Sequence, residues 1–558
     1  MATQAYRYNT NIDDPILSDG SSNFTGVVSA TKSNRLESSE LAELSNGDIG
    51  AYGTVSSRPS AKLIGKNLSD DFYVDNKGVA YEDYMGLRFV GKDYISDTQK
   101  IWILKGAQPK ILFFVEGKLF VGNSLNISTW GEQILENINT GAISATQLAN
   151  IAYFVDNDKL RYYSDDEIGE IKNFKKVSSD GETLEDGIAI PPASCIETHV
   201  ERLCMAGVSD AQHDPATIFF SDYLDGKTWS ITESVQVGSD GDAIVGLKSW
   251  RNNTLLVFKS SSVWAVICSP LVDDSGNRLS PAYWTINKIS DSYGAISRET
   301  IAQVGNDVWF LSKRGVCSIQ RAVAAEENEM QALPISLPIQ NYIDRINWNA
   351  AHTASAVYFK DRYFLSIPID NSSRPNIVLI YNTITQKWQG TWEGTAMRAT
   401  GYARANFDGV EHLIWRTHDG TAYQFLDDDF QTYYDSCEDY DEYIKQTFVS
   451  KSYVWDAPYN SKRALDIEVE FYNSTGLADL FVKLDGKKER LISSRLQIST
   501  SKKLPLKIPF SLGGRNISNF TFNLRDLPRF KELQVVIKTY QGRATVRNIN
   551  INALVMPT

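Results

Sequence analysis

The sequence lacks long apolar runs. The longest wholly apolar segments, Ile111–Val115 and Ile377–Tyr381, contain five residues each, whereas about 20 are needed to cross a bilayer. The opening MATQAYRYNT has no apolar core of the kind found in signal peptides. The sequence therefore predicts neither a signal peptide nor a membrane anchor.

Cysteine and histidine are scarce, and the motifs that would give them a chemical role are missing. The odd number of cysteines, with no CxxC spacing, predicts buried thiols rather than disulfides at Cys195, Cys204, Cys268, Cys317 and Cys437. The five histidines form no HExxH or HxH pattern, and neither GxSxG nor a P-loop occurs. No catalytic, cofactor-binding or metal-binding residue is predicted, and we expect no enzymatic activity.

An excess of basic residues is also missing. Lys and Arg number 56 and Asp and Glu number 68, which gives a net charge of −12. Phosphate binding requires clustered cations that displace counterions. The charge balance therefore disfavours a protein that grips nucleic acid or a basic protein that lies on a membrane surface.

Aromatic residues, in contrast, are abundant at 11% of the chain, and large rings favour β-strands. A hairpin-like unit of two apolar strands recurs at 111–121, 153–163, 255–266, 308–319, 356–367 and 412–425. Glu116-Gly117, Asp156-Asn157-Asp158 and Asp419-Gly420 are predicted turns. A double-length gap after the second unit holds one more unit, with RLCMAG at 202–207 and TIFFSDYLDGKTW at 217–229.

The spacing of these units, roughly 40–56 residues, is close to that of β-propeller blades. We therefore predict an all-β fold with a six- or seven-bladed β-propeller at residues 61–430. An extended N-terminal arm (1–60), which becomes ordered against another element, precedes it. An acidic linker (431–460) and a C-terminal antiparallel β-sandwich (461–558) follow, because residues 464–556 alternate between apolar and polar positions.

Two segments have helical spacing. Ser336–Asn347 has a capping serine and Ile339, Ile343 and Ile346 on one face, which predicts a helix. Leu36, Leu41 and Leu44 form a shorter helix-like patch within the arm.

Several motifs suggest chemistry but have simpler structural interpretations. SDYLDGKTW (Ser221–Trp229) resembles the aspartate box of sialidases incompletely, and a tight Asp-Gly turn with a packed Trp explains it. VDDSGN (272–277) and DNDK (156–159) place carboxylates on turns but do not complete an EF-hand. His412 and His418 could approach each other in one hairpin. Paired carboxylates for glycoside hydrolysis cannot be chosen from 68 acidic residues.

The order of phrases between residues 200 and 430 resembles the β-propeller tail proteins of short-tailed bacteriophages, called tail nozzle, tail hub or stabilisation proteins. The similar positions are Leu255–Phe258, Ser262–Trp264, Gly294, Ser297, Gly305-Asn306, Phe310–Ser312, Gly315-Val316, Arg362-Tyr363 and the Tyr381/Trp388 pair. GDIGAYGTVSSRPS (Gly47–Ser60) is similar to the Gly-rich stretch ending in Arg-Pro in that family, and SKRALDIEVEF suits its terminal β domain.

This resemblance implies a structural virion protein of the phage tail, assembled in the host cytoplasm. Six copies would form a ring below the portal and adaptor rings, close the DNA channel, conduct the genome during ejection and anchor tail fibres or spikes. The acidic charge is consistent with DNA passing without being held.

Two other classes stay open. One is a carbohydrate-binding or glycoside-hydrolysing propeller, whose discriminating feature is three or more carboxylates and an arginine at one mouth. The other is a monomeric bacterial protein-interaction propeller without a channel.

Overall fold

The computed structural model describes residues 16–65, 73–74, 80–81 and 98–556, with internal gaps in the last range and at residue 51. The gaps after residue 98 are 107, 116, 124, 126–131, 140, 166, 178–183, 211, 239–240, 270, 273–278, 328–331, 419–420, 427–431, 438–440 and 499–516. The described fold is all-β, with few helices, as the sequence predicts.

The N-terminal part forms eight short strands. They are β1 (Ile16–Ser22), β2 (Gly26–Val27), β3 (Glu40–Ser45), β4 (Gly47–Ile49), β5 (Val55–Ser57), β6 (Ser60–Gly65), β7 (Tyr73–Val74) and β8 (Ala80–Tyr81). Strands β1 to β6 take part in sheets with strands from much later in the chain, whereas β7 and β8 pair with each other.

Seven sheets follow, and each is an antiparallel meander of consecutive strands. Sheet I contains β9 (Thr98–Leu104), β10 (Lys110–Val115), β11 (Lys118–Gly122) and β12 (Glu132–Leu135). Sheet II contains β13 (Ser144–Leu148), β14 (Ile151–Val155), β15 (Leu160–Tyr163) and β16 (Ile168–Ile171). A hairpin of β17 (Asn173–Val177) and β18 (Leu184–Ala189) leads to sheet III, which contains β19 (Ala193–His199), β20 (Arg202–Val208), β21 (Thr217–Asp222) and β22 (Asp225–Gln236).

Sheets IV to VII continue the series. Sheet IV contains β23 (Ile244–Trp250), β24 (Thr254–Lys259), β25 (Val263–Ile267) and β26 (Thr285–Ser290). Sheet V contains β27 (Ala302–Val304), β28 (Asp307–Ser312) and β29 (Gly315–Ser318), and helix α1 (Ile319–Glu327) follows it. Sheet VI contains β30 (Ser355–Phe359), β31 (Arg362–Ile367), β32 (Ile377–Asn382) and β33 (Lys387–Trp392). Sheet VII contains β34 (Ala399–Phe407), β35 (Val410–Thr417) and β36 (Ala422–Leu426), and β6 completes it by pairing with β36.

All the predicted hairpin units are confirmed as pairs of adjacent strands, one within each sheet. Gly117 and Asn157 have positive φ values of 74° and 64° in two of the predicted turns, a conformation that Gly and Asn adopt readily. Glu116 and the predicted Asp419-Gly420 turn lie outside the described residues.

In the described ranges, a separate hydrophobic cluster fills each space between consecutive sheets from I to VII, and a further cluster joins sheet VII to sheet I. Ile101 and Ile103 of sheet I, for example, pack with Ala403 and Ile414 of sheet VII. The remaining clusters join I to II, II to III, III to IV, IV to V, V to VI and VI to VII. Each sheet therefore buries both of its faces against its neighbours.

The last strands are β37 (Tyr434–Ser436), β38 (Asp441–Tyr443), β39 (Thr447–Ser450), β40 (Lys462–Tyr472), β41 (Thr475–Leu484), β42 (Arg490–Gln497), β43 (Ile517–Asn523), β44 (Leu533–Arg543) and β45 (Thr545–Val555). One sheet has the order β4-β5-β45-β40-β43, with β1 beside β45. A second sheet, which we call the extended sheet, runs from sheet VI through β3 to β39, β44, β41 and β42. One hydrophobic core lies between these two sheets and includes residues from both ends of the chain, such as Phe24, Leu41, Val469 and Val535.

The predicted arm (1–60) therefore supplies strands to two sheets and the first residue of β6, and the predicted acidic linker contains β37, β38 and β39. Leu41 and Leu44 lie in strand β3, so the prediction of a helix-like patch is wrong. Pairing of β3 with β39 outweighs the local spacing. The helix predicted at Ser336–Asn347 is shorter than expected. It consists of a 3₁₀ turn at Leu337–Ile339 and helix α2 (Gln340–Ile343).

A buried ion pair holds the N-terminal segment in place. Arg58 Nη2 lies 2.5 Å from Asp435 Oδ2, and both side chains are 1% exposed. Arg58 Nη1 donates to Asp435 Oδ1 at 2.9 Å, and its other donors reach Asn46 Oδ1 and the carbonyl oxygens of Pro59 and Glu393. Asp435 Oδ1 also accepts the Ala61 amide at 2.9 Å, at the start of β6.

We expect Arg58→Met to lower the free energy of unfolding by about 3–5 kcal/mol, because it leaves a buried carboxylate without its cation. Urea unfolding at neutral pH measures the change. The control is Arg345→Met, which removes an exposed ion pair with Asp370 whose side chains are 45% and 54% exposed, and it should cost about 1 kcal/mol or less. Equal losses in the two variants would contradict this role for Arg58.

Candidate functional site

A large cavity lies between the first strands of most of the seven sheets. Its volume is about 1610 Å³, and residues from β9, β13, β19, β23, β30 and β34, together with the segment just before β27, line it. Strands of six sheets and the segment leading into sheet V therefore line the cavity.

Contacts between neighbouring first strands give the direction of these strands. Ser144 Oγ contacts the backbone of Ile196, and further along the same two strands Thr146 contacts Thr198 at 2.9 Å. Because later residues of β13 meet later residues of β19, the two strands run in the same direction. The cavity thus has a start end, near Lys100 and Arg298, and a far end, near Lys105 and Asp408.

At the start end, an ion pair crosses the cavity. Lys100 Nζ of sheet I donates to Glu299 Oε1, which precedes sheet V, at 2.7 Å, and the side chains are 15% and 23% exposed. The adjacent Arg298 places Nε 3.6 Å from Glu299 Oε1, and its Nη1 donates to the carbonyl oxygen of Ser194 in β19 of sheet III. The neighbouring residues Arg298 and Glu299, just before sheet V, therefore contact sheets III and I across this end.

Charge and burial shift the pKa values of this group. Burial raises the pKa of Glu299, but the charges of Lys100 and Arg298 outweigh burial and bring the pKa down to about 2. Burial lowers the pKa of Lys100, and the charges of Arg298 and Arg416 lower it further against the opposing effect of Glu299. Glu299 is thus ionised at neutral pH and serves as the counterion of several cations.

The middle and the far end hold separate pairs. Lys248 Nζ donates to Glu197 Oε1 at 2.8 Å midway along the cavity. Near the far end, Arg404 Nη1 lies 4.0 Å from Glu411 Oε1. The lining carboxylates, Glu197, Glu299, Asp408 and Glu411, are therefore distributed along the cavity rather than grouped at one end.

Cys195 also lines the cavity, but its thiol is suited to packing rather than to nucleophilic attack. It is buried, and burial raises the pKa of the thiol to about 11, so it is protonated at neutral pH. All five cysteines are buried and none is part of a disulfide, which confirms that prediction for these residues, all of them described.

The motifs that the sequence singled out have structural roles where they are described. Trp229 is fully buried and its Nε1 donates to the Gly226 carbonyl at 2.8 Å. The packed Trp is confirmed, but the turn itself is formed by Tyr223 and Leu224, because Asp225 and Gly226 already belong to β22. Asp156 accepts the Lys159 amide at 2.8 Å and pairs with Arg161 at 3.0 Å, so it stabilises its own turn.

The remaining candidates are the two histidines of one hairpin and the acidic stretch VDDSGN. His412 Nδ1 contacts Gln424 Nε2 at 2.9 Å. VDDSGN lies almost wholly outside the described residues. Among the residues that the structure describes, no three His, Cys, Asp or Glu side chains are grouped as metal ligands, and the absence of a metal site stays a prediction.

No sequence motif points to Lys100, Arg298 or Glu299. The only local signal is a lysine beside the apolar run IWIL in β9, and its partner lies 199 residues away.

No protein-family model matches the chain, and no curated protein is significantly similar to it. Within the described ranges, no helix has the length and apolar character required to cross a membrane.

We expect Glu299→Gln to destabilise the protein at neutral pH. The pKa of Glu299 is lower in the folded than in the unfolded protein, so its stabilising contribution is present above about pH 4.5 and is lost as pH falls towards 2. The stability difference between wild type and variant should therefore shrink over that window in urea unfolding. Glu201→Gln, at an exposed position, is the control, and a difference that stays constant with pH would refute the prediction.

Proposed function

We propose that sheets I to VII are the blades of a seven-bladed β-propeller, and that the two sheets built around the terminal strands form a β-sandwich. The series of hydrophobic clusters from sheet I to sheet VII and back to sheet I supports the propeller. The completion of sheet VII by β6, from the other end of the repeat region, supports ring closure.

We propose further that the protein is a structural component of a phage tail that acts as the nozzle or hub below the portal and adaptor rings. The observation that supports this proposal is that three motifs of the resemblance lie at corresponding strands of the consecutive sheets IV, V and VI. Leu255–Phe258, Phe310–Ser312 and Arg362-Tyr363 all lie in the second strand of their sheets.

The link between the repeat sheets and the terminal sheets suits a component that bears load. The extended sheet passes from sheet VI into the terminal region through hydrogen-bonded strands. Trp392 Nε1 donates to the Gly47 carbonyl at 2.8 Å, and Gln389 Nε2 donates to the Ile49 carbonyl at 3.0 Å across the same junction. Hydrogen-bonded sheets resist relative movement better than a flexible linker does.

The oligomeric state tests this proposal directly. We expect the protein to form a ring of six when it is mixed with the portal and adaptor proteins of the same virion, visible by native mass spectrometry and electron microscopy. The template proteins are needed because ring proteins of virions can stay monomeric until they meet one. A monomer at micromolar concentration in the presence of those partners would argue for the monomeric interaction propeller instead.

The proposed passage of DNA makes a second prediction. With a net charge of −12, the ring should not retard duplex DNA at about 150 mM salt, because few phosphates can be neutralised. The electrophoretic mobility of duplex DNA mixed with the assembled ring measures this retardation. Micromolar DNA binding that weakens steeply with salt would show a basic lumen and would contradict conduction without retention.

The cavity favours one second candidate, the carbohydrate-binding or glycoside-hydrolysing propeller. The half-buried rings of Trp102 and Tyr402 line it beside polar groups, and such surfaces bind sugars. The lining carboxylates are spread from end to end rather than gathered at one mouth. Release of reducing ends from polysaccharides by the purified protein would favour this candidate over the nozzle.

A further inference from the structure

Charge of the two signs is segregated along this acidic chain. Residues 461–558 contain 17 Lys and Arg but only 8 Asp and Glu, a net charge of +9. Residues 98–426, which span sheets I to VII and which we call the repeat region, contain 28 Lys and Arg against 37 Asp and Glu, a net charge of −9. A strong charge asymmetry between parts of one chain indicates a surface that meets a partner of opposite charge.

Much of the positive charge is grouped at one end of the terminal sheets, which we call the basic end. Three segments meet there, namely the start of β40, the turn between β41 and β42, and the segment before β44. Lys462 and Phe530 exchange backbone hydrogen bonds at 2.7 and 3.2 Å, and the Asp485 amide donates to the Glu532 carbonyl at 3.0 Å. Asp485 Oδ1 accepts the Lys531 amide at 2.7 Å. The cations that these segments bring together are Arg463, Lys487, Lys488, Arg525, Arg529 and Lys531, of which all but the half-buried Arg463 are exposed.

A buried lysine lies behind these cations. Lys462 is 0% exposed, and its Nζ donates to the carbonyl oxygens of Ala457, Asn460 and Lys531 at 2.6, 2.9 and 2.6 Å. Its three hydrogens are therefore satisfied by the backbone, and it uses none of the nearby carboxylates as a hydrogen-bond acceptor.

The carboxylates at the basic end do not balance its cations. With Lys462 the cations number seven, and the carboxylates on the same segments number four: Asp456, Asp485, Asp526 and Glu532. Within the described part of the chain, four of the exposed cations have no carboxylate in ion-pair distance: Lys487, Lys488, Arg525 and Lys531. The basic end therefore presents an excess of three positive charges.

We propose that the basic end binds the acidic repeat region of a second copy of this chain, and that this contact joins neighbouring copies in the ring. The inference rests on the ring of the proposed function. Two basic ends, or two repeat regions, repel each other because like charges meet, whereas a basic end and a repeat region attract. The attractive contact joins two different surfaces, and such heterologous contacts close into rings, whereas contacts between identical surfaces give dimers.

Charge reversal at the basic end tests the proposal when the full chain is mixed with the portal and adaptor proteins. Both changed side chains in Lys487→Glu/Lys488→Glu are exposed, so the melting temperature should stay near that of the wild type. We expect no ring, or a ring that needs at least about tenfold more protein, because like charges then meet at each contact. A normal ring in this variant overturns the present inference alone, whereas absence of a ring in the wild type overturns the proposed function as well.

The matched control is Lys118→Glu/Lys313→Glu, which makes the same change in charge at exposed positions of sheets I and V. This variant makes the repeat region more acidic, so its ring should form at least as readily as that of the wild type. Equal loss of the ring in both double variants would mean that assembly responds only to net charge, and the basic end would be rejected as the contact.

Salt and DNA provide two further readouts. Ring formation should weaken between about 0.15 M and 1 M salt, because the Debye length falls from about 8 Å to about 3 Å, and a ring that is indifferent to salt would contradict the proposal. The other possible partner of a basic surface is nucleic acid. Retardation of duplex DNA by the wild type that is lost in Lys487→Glu/Lys488→Glu, together with a normal ring in that variant, would identify nucleic acid as the partner and overturn the proposal.

Discussion

The ion pair between Arg58 and Asp435 is the contact on which the arrangement of both ends of the chain depends. Arg58 bonds Asn46 and the Glu393 carbonyl, and Asp435 bonds the amide of Ala61. These hydrogen bonds hold together β6, which belongs to sheet VII, the end of β33 in sheet VI, and the turn between β3 and β4. A buried charge pair is stabilising only when all its donors and acceptors are satisfied, and here the guanidinium has an acceptor for every nitrogen.

The same constraint explains why the N-terminal segment is polar yet ordered. Asn46 accepts from Arg58 and from the Glu393 amide, while Asp48 pairs with Arg362 at 2.8 Å. Glu40 pairs with Lys387 at 2.7 Å. The segment lies between sheet VI and the terminal core. Its polar side chains therefore pair with backbone and charged groups of sheet VI, which would otherwise be buried without partners.

The parts of the fold that could be predicted are those that depend on neighbouring residues. Hairpins such as Ile111–Val121 and Tyr153–Tyr163 can be predicted because two apolar strands flank a turn residue that adopts a positive φ. The helix-like spacing of Leu41 and Leu44 gives a wrong prediction, because their strand partners in β39 lie about 400 residues further along. The group at Lys100, Arg298 and Glu299 could not be predicted either, since opposite sheets bring these residues together and neither local segment resembles a binding motif.

Sheet VII has a consequence for synthesis on the ribosome. Its β6 strand contains Ala61, whose partner in β36 is Phe425. More than 360 further residues are therefore synthesised after Ala61 before its strand partner exists. At translation rates of about 5–20 residues per second this interval is roughly 20–70 s. During that time β6 has an exposed edge and no partner in its own sheet. A chain that stops before β36 therefore lacks the strand that pairs with β6 in sheet VII.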